Sequence, residues 1–383
     1  MLTVRGLMDD AAAETGLEEF GEGSFVEGLE QLVEAVGEEG RLSETGEQIL
    51  GLRLRMLLAN RLRVEDTYRQ HPEIDDEQIE GPVVILGLPR TGTTALSQLV
   101  ACDPQIRSIR LWESSSPVPP PESTSEDVDS RIAETQRGLD AMYQVFPKMA
   151  ALYFQTATGA TECQDLLGMA FRTAHFDGMA RVPSYTRWVL GCDMAPAYAY
   201  HRKVLRLLQW HCPPRLWHLK TPVHMLALED LSECYPEARF LWTHRDPAQV
   251  LGSVCSLVSY TRSWVSQPDD LDDPRELGAQ QTELWSEAIR RATAFRDHVG
   301  EERFADVFFD ELNADAVGAV ERAYGRIGLD LSNEARERMR QWSIANARGS
   351  HGSHEFALDD FGLEPNVVRE QFEVYMERFG LTG

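Results

Sequence analysis

The segment Gly87-Leu88-Pro89-Arg90-Thr91-Gly92-Thr93-Thr94 follows an apolar run, Pro82–Leu86, and precedes a second one, Ala95–Ala101. Two glycines five apart let the backbone wrap so that successive N–H groups point inward. A helix starting just after them adds the positive end of its dipole. This strand–loop–helix is a cradle for a phosphate-like anion. Nucleoside-triphosphatase loops carry a lysine before the Ser/Thr, which reaches the β/γ-phosphates while the hydroxyl ligates Mg²⁺. Here Thr93 holds the lysine's place and cationic duty passes to Arg90, which speaks against Mg²⁺-dependent ATP hydrolysis.

A second anion site is readable in Thr243-His244-Arg245-Asp246-Pro247, at the end of the apolar run ARFLWT. Arg245 offers a planar fork suited to a phosphate, and ligands of open α/β sheets bind at such strand ends. Ser253, eight residues on, can return to the same phosphate from the next helix. Near the end of the sequence, Arg348-Gly349-Ser350-His351-Gly352-Ser353-His354 is a Gly/Ser loop whose N–H groups can wrap a phosphate. His351 and His354 have no cysteine or carboxylate cluster at ligand spacing, so no metal is expected.

The elements that must carry these residues follow from hydropathy. Short strands at Val83–Leu86, Leu216–Leu219, Ala238–Thr243 and Phe304–Phe309 alternate with helical patterns at Ala95–Ala101, Met225–Leu231 and Val250–Val258. That alternation predicts a parallel sheet with helices on both faces, an α/β fold. Residues 5–40 read as short acidic helices. Residues 45–70 read as one long buried helix with a solvated basic face of Arg53, Arg55, Arg61 and Arg63. Residues 114–126 hold Pro117, Pro119, Pro120 and Pro121 and form a connector or a rim over a site, and 127–211 read as several aromatic-rich helices.

With 383 residues, 43% hydrophobic and 26% charged, the chain is long enough for one large domain or two ordinary ones. The net charge is −25, and residues 1–50 hold thirteen acids against only Arg5 and Arg41. A duplex nucleic-acid binder needs a basic face, so that class is excluded, whereas a small anion needs only a few local donors. The six cysteines include no C-x-x-C pair and read as buried free thiols. No apolar stretch is long enough to span a membrane and no leader is evident, so a cytoplasmic protein is expected.

In their order along the chain, these motifs resemble the sulfotransferases that use 3′-phosphoadenosine 5′-phosphosulfate, in particular the bacterial branch. Pro89–Thr94 resembles the 5′-phosphosulfate loop, and Arg245 with Ser253 resembles the 3′-phosphate motif. Val182-Pro183-Ser184-Tyr185, Leu219-Lys220-Thr221-Pro222-Val223-His224 and Leu358-Asp359-Asp360-Phe361-Gly362 extend the likeness over residues 80–380. The resemblance implies a P-loop-type parallel-sheet core at 81–383, with a helical acceptor-binding insertion at 125–212. Residues 1–80 then form a helical segment packed on that core. It implies metal-free, in-line transfer of a sulfuryl group to a hydroxyl or amine, leaving adenosine 3′,5′-bisphosphate.

Its residue roles follow. Pro89, Arg90, Thr91, Gly92, Thr93 and Thr94 hold the 5′-phosphate through side chains and N–H groups, with Arg90 also catalytic. Arg245 and Ser253 hold the 3′-phosphate, with Arg348 and Gly349 covering it. Lys220 neutralises the bridging oxygen. Glu113 is the first choice of proton acceptor, with Glu162, His224 and His175 as alternatives. Two other readings compete: a P-loop kinase-like phosphotransferase using ATP, and a non-catalytic nucleotide-binding protein. The aromatic residues of 114–211 admit a small-molecule, lipid or carbohydrate acceptor, and the sequence leaves a homodimer open.

Overall fold

Val83–Leu86 is apolar at every position because both of its faces are covered. In the computed structural model, which describes residues 2–212, 216–346 and 356–381, this run is the central strand of a five-stranded sheet. Calling it β1, the others are β2 (Ile106–Ser108), β3 (Leu216–Lys220), β4 (Arg239–His244) and β5 (Phe304–Phe308). Their order is β2-β3-β1-β4-β5, and every neighbouring pair is parallel. This is the α/β sheet expected from the sequence. β2 escaped the sequence reading because three residues are too few to display a period; its pairing with β3 defines it.

The period-two alternation of the strands divides the core. Val84, Leu86, Trp217, Leu219, Phe240 and Trp242 face one apolar cluster, shared with the helices at Ala195–Gln209 and Pro274–Val299. Val83, Ile85 and Leu241 face a second cluster, shared with the helices at Ala316–Arg326 and Asn333–Ala345. The same alternation sends Lys220 and Thr243 toward the second face, where the helix Thr93–Val100 begins.

The acidic N-terminal region forms α1 (Val4–Thr15), α2 (Phe25–Glu39) and α3 (Glu44–Gln70), and the Thr93–Val100 helix is α4. Buried Leu7, Phe25, Leu29, Leu54 and Leu58 join α1–α3 to the first apolar cluster. The basic face expected to be solvated is not solvated at Arg61. Its guanidinium lies between the Phe25 and Tyr200 rings, at 4.3 and 4.0 Å. It donates to the carbonyls of Phe20, Glu22 and Met169. The carbonyls and rings replace water for a buried cation. Arg53 is likewise paired, with Asp165.

The single helix expected at Met225–Leu231 is two pieces. Pro222 opens a 3₁₀ turn after β3, and Ala227, non-helical at φ −148° and ψ 49°, separates it from the helix Leu228–Cys234. All six cysteines are free. Among the described residues no helix is long and apolar enough to cross a membrane.

Gly87, at the exit of β1, has φ +142°, and a methyl there would overlap the Thr243 hydroxyl. Gly87→Ala is expected to lose about 2 kcal/mol or more in urea unfolding. Gly138, inside the helix Ser130–Val145, meets nothing within 4 Å of an added methyl. Gly138→Ala is expected to gain up to about 1 kcal/mol in the same assay. Equal effects of the two changes would contradict this account of the β1 exit.

Candidate active site

Three adjacent strands, β3, β1 and β4, end side by side, with Ile85 opposite both Lys220 and Leu241. Their C-terminal ends deliver Lys220, the loop after Leu86 and Arg245 to one edge of the sheet, where open parallel sheets bind ligands.

The loop after β1 is held by its own threonine. Thr91 is fully buried; its hydroxyl donates to the Leu88 carbonyl (2.6 Å) and lies 2.6 Å from the Thr243 hydroxyl. The resemblance assigns Pro89–Thr94 together to the 5′-phosphate, through side chains and N–H groups; of these, the Thr91 hydroxyl locks the loop onto β4. Arg90 (φ 70°) and Gly92 (φ 93°) take left-handed backbone, which turns the loop into the start of α4. The Gly92 N-cap position has no side-chain cap, and α4 carries no acid in its first turn. The loop therefore presents backbone donors and the positive helix end to an anion.

The two anion motifs meet. Arg90 Nε donates to Ser253 Oγ (3.1 Å) and its Nη1 to the Leu152 carbonyl (2.7 Å). Arg245 Nη1 donates to the Arg90 carbonyl (3.2 Å), and its guanidinium stacks on the Phe309 ring at 3.9 Å. Burial holds the Arg90 guanidinium below its ordinary pKa. Ser253 sits on the helix Pro247–Arg262, whose N-cap, Asp246, accepts from the Ala248 N–H (2.9 Å).

Lys220, only 2% exposed, points its ammonium at two groups. One is Glu162 Oε1, in a close ion pair; the other is Thr94 Oγ1 at 3.2 Å. The Tyr153 hydroxyl lies 3.3 Å from Glu162 Oε1, while Gln164 and Thr221 hold Glu162 Oε2. The backbone of this segment is fixed by the Cys163 N–H, which donates to the Lys220 carbonyl (2.9 Å). Burial, and secondarily the Glu162 carboxylate, push the Tyr153 phenol well above its ordinary range.

The first-choice base, Glu113, does not join this cluster. It is 1% exposed, pairs with Arg107 at 2.7 Å and accepts from the Arg110 N–H at 2.9 Å. Burial raises its pKa against the pull of Arg107. Glu113 thus caps the short helix Leu111–Ser115 and neutralises a buried arginine. His224 is fully buried against the Tyr198 hydroxyl (2.9 Å) and His201, in the helical layer rather than at the loop. Burial, with Arg53 second, pushes His175 down to about 4. The carboxylate beside Lys220 is Glu162. Its only sequence signal was Thr161-Glu162-Cys163 itself, because nothing local announces a contact with a residue 58 positions away. Arg348 and Gly349, with His351 and His354, lie outside the described residues.

Buried histidines make the protein acid-sensitive. Burial pushes His201 and His218 down to about 3 and His224 well below its usual value. Each Nε2 is enclosed without a hydrogen-bond partner. Below the unfolded pKa, the unfolded chain takes protons that the fold refuses. Stability is therefore full above pH 6.5 or so and falls as pH drops toward 3, by about 1.4 kcal/mol per pH unit per histidine. Urea unfolding between about pH 7 and pH 5 should show this slope; a flat profile would mean these rings accept protons in the fold.

A sequence model described as the Sulfotransferase family matches residues 82–333. The omega-hydroxy-beta-dihydromenaquinone-9 sulfotransferase Stf3 of Mycobacterium bovis is 24% identical over 309 residues, 78% of this chain and 75% of that protein. The crystal structure of sulfotransferase STF1 from Mycobacterium tuberculosis superimposes with a TM-score of 0.87 at 31% identity, covering 97% of this chain and 98% of that one. Sulfotransferase STF9 from Mycobacterium avium gives a TM-score of 0.92 at 28% identity, covering 100% of this chain and 98% of that one.

Proposed function

This chain belongs to the sulfotransferase family and is a transferase; on that premise we propose that its donor is 3′-phosphoadenosine 5′-phosphosulfate and its acceptor a hydroxyl on an apolar, lipid-like molecule. The observation that carries the reading is the meeting, at one sheet edge, of an uncapped helix start, Lys220 beside Glu162, and Arg90 joined to both Ser253 and Arg245. The acceptor class draws support from the menaquinone named for the 24%-identical relative. Phe154, which follows Tyr153 in the chain, is 39% exposed and stacked on Tyr143, an apolar surface consistent with such an acceptor.

The backbone N–H groups of Gly92, Thr93 and Thr94 would hold the 5′-phosphosulfate, with Arg90 and the Pro89 turn shaping the loop. Arg245 and Ser253 would take the 3′-phosphate. In the transfer, the bond from sulfur to the phosphate-bridging oxygen breaks while the acceptor oxygen bonds to sulfur in line. Lys220 neutralises the charge that grows on the bridging oxygen. Glu162 takes the acceptor's proton. In the structure these two groups are paired with each other. The donor's arrival gives Lys220 a second anion and leaves Glu162 ready to accept the proton. Thr93, where a triphosphatase loop has lysine, removes the group an ATP-dependent reading needs.

The test is thermal unfolding with adenosine 3′,5′-bisphosphate, without added metal, and separately with ATP and Mg²⁺. At 100 times its Kd the bisphosphate should stabilise the fold by about 2.7 kcal/mol, a shift of a few degrees. Arg245→Ala should abolish that shift. A shift with ATP and Mg²⁺ alone would overturn the donor assignment. With an active acceptor, Glu162→Gln should lower kcat by roughly 100-fold or more, and Glu113→Gln should lower stability while leaving kcat largely intact. The reverse pattern would return the base to Glu113.

A further inference from the structure

Arg245 stands between two residues that are both tied to the segment 356–381. Before it, His244 is buried at the end of β4, with Nδ1 3.1 Å from the Tyr375 hydroxyl and its ring stacked on Phe379 at 4.0 Å. The backbone N–H of Arg245 lies close to the same Tyr375 hydroxyl. His244 Nε2 lies 2.8 Å from Asp306, which pairs in turn with Arg296 at 2.6 Å. After it, Asp246 Oδ2 accepts from Arg369 Nη2 (2.7 Å) and Nε (3.2 Å). The side chain of Asp246 is only 4% exposed, while that of Arg369 is 33% exposed. A third contact lies one residue before Ser253: a methyl on Gly252 would stand 2.9 Å from the Phe356 ring.

These contacts have a common target, the backbone that aims Arg245 and Ser253. They also have an electrostatic side. Asp246 is a carboxylate adjacent to a site that would receive a phosphate, and a like charge there weakens anion binding. Arg369 is the cation that offsets it.

We propose that Arg369 and Tyr375 are positioning residues for the 3′-phosphate subsite: the C-terminal helices Pro365–Gln371 and Glu373–Phe379 clasp the two neighbours of Arg245, fix its aim and neutralise Asp246. This rests on the reading that Arg245 and Ser253 hold the donor's 3′-phosphate. Neither Arg369 nor Tyr375 touches the reacting atoms. Their effect should therefore fall on how tightly the 3′-phosphate is held, and leave the transfer step alone.

The experiment is calorimetric titration of the full chain with two probes, adenosine 3′,5′-bisphosphate and adenosine 5′-monophosphate. Their affinity ratio isolates the 3′-phosphate. Arg369→Met is expected to weaken the bisphosphate roughly tenfold and the monophosphate by less than about twofold. It should raise the donor KM while kcat at saturating donor stays near that of the parent. Arg369→Lys, which restores the charge opposite Asp246, should recover most of the ratio. Tyr375→Phe, a smaller change, should shift the ratio in the same direction. An Arg369→Met protein that loses both ligands equally has suffered a general structural defect, and the positioning role is overturned. The same holds if Arg245→Ala collapses the ratio and Arg369→Met leaves it unchanged. If Arg245→Ala itself leaves the ratio intact, the underlying assignment of the subsite fails, separately from the clasp.

Discussion

Parallel pairing of β1 with β3 on one side and β4 on the other delivers three chain segments to one edge in a fixed register. In a parallel sheet all strands leave the same edge, so the residues just past their C-terminal ends are forced to be neighbours. The register then decides which. With Ile85 opposite Lys220, the lysine reaches α4. With Leu86 opposite Trp242, Thr243 falls beside the loop and its hydroxyl meets Thr91. A slip of one residue in β4 would send Thr243 to the wrong face and remove the lock on the loop. Gly87 belongs to the same constraint, since only a residue without Cβ leaves room for that hydroxyl.

What the sequence disclosed and what it hid follow one physical division. Local signals were legible. The glycines at 87 and 92, the all-apolar strands and the Arg245–Ser253 spacing are short-range features, and the structure has the loop, the parallel sheet and the contact between Arg90 and Ser253. Long-range partners were hidden. Glu113 and Glu162 are both acids near short helices, and nothing in their neighbourhoods says which will face Lys220. The choice is made by Arg107 and the Arg110 N–H capturing one, and by the Cys163–Lys220 backbone bond presenting the other. Arg61 teaches the same lesson. Its helical spacing suggests a wet face, but two rings and three carbonyls from distant segments enclose it.

Net charge is a poor guide to this molecule's chemistry. A chain of charge −25 still gathers Arg90, Lys220 and Arg245 at one edge, because site electrostatics depend on groups within a few ångströms. The abundant acids are occupied elsewhere. Many pair with arginines across elements, as Asp177 and Asp272 do with the buried Arg262. Such pairs fix the orientation of elements more than they add stability, since each desolvated charge offsets much of what its partner contributes.

The tie between His244 and Tyr375 spans 131 residues of chain. β1, β3 and β4 can pair, and the loop can close on Thr243, well before Tyr375 leaves the ribosome. The surroundings of Arg245 are completed only by a segment made much later, since Tyr375 follows β4 by 131 residues. Assembly therefore has a built-in order: the cradle at the start of α4 is available to a nascent chain early, and the bracing around Arg245 comes late. A chain interrupted between the two would lack the contacts that brace His244 and Asp246 on either side of Arg245.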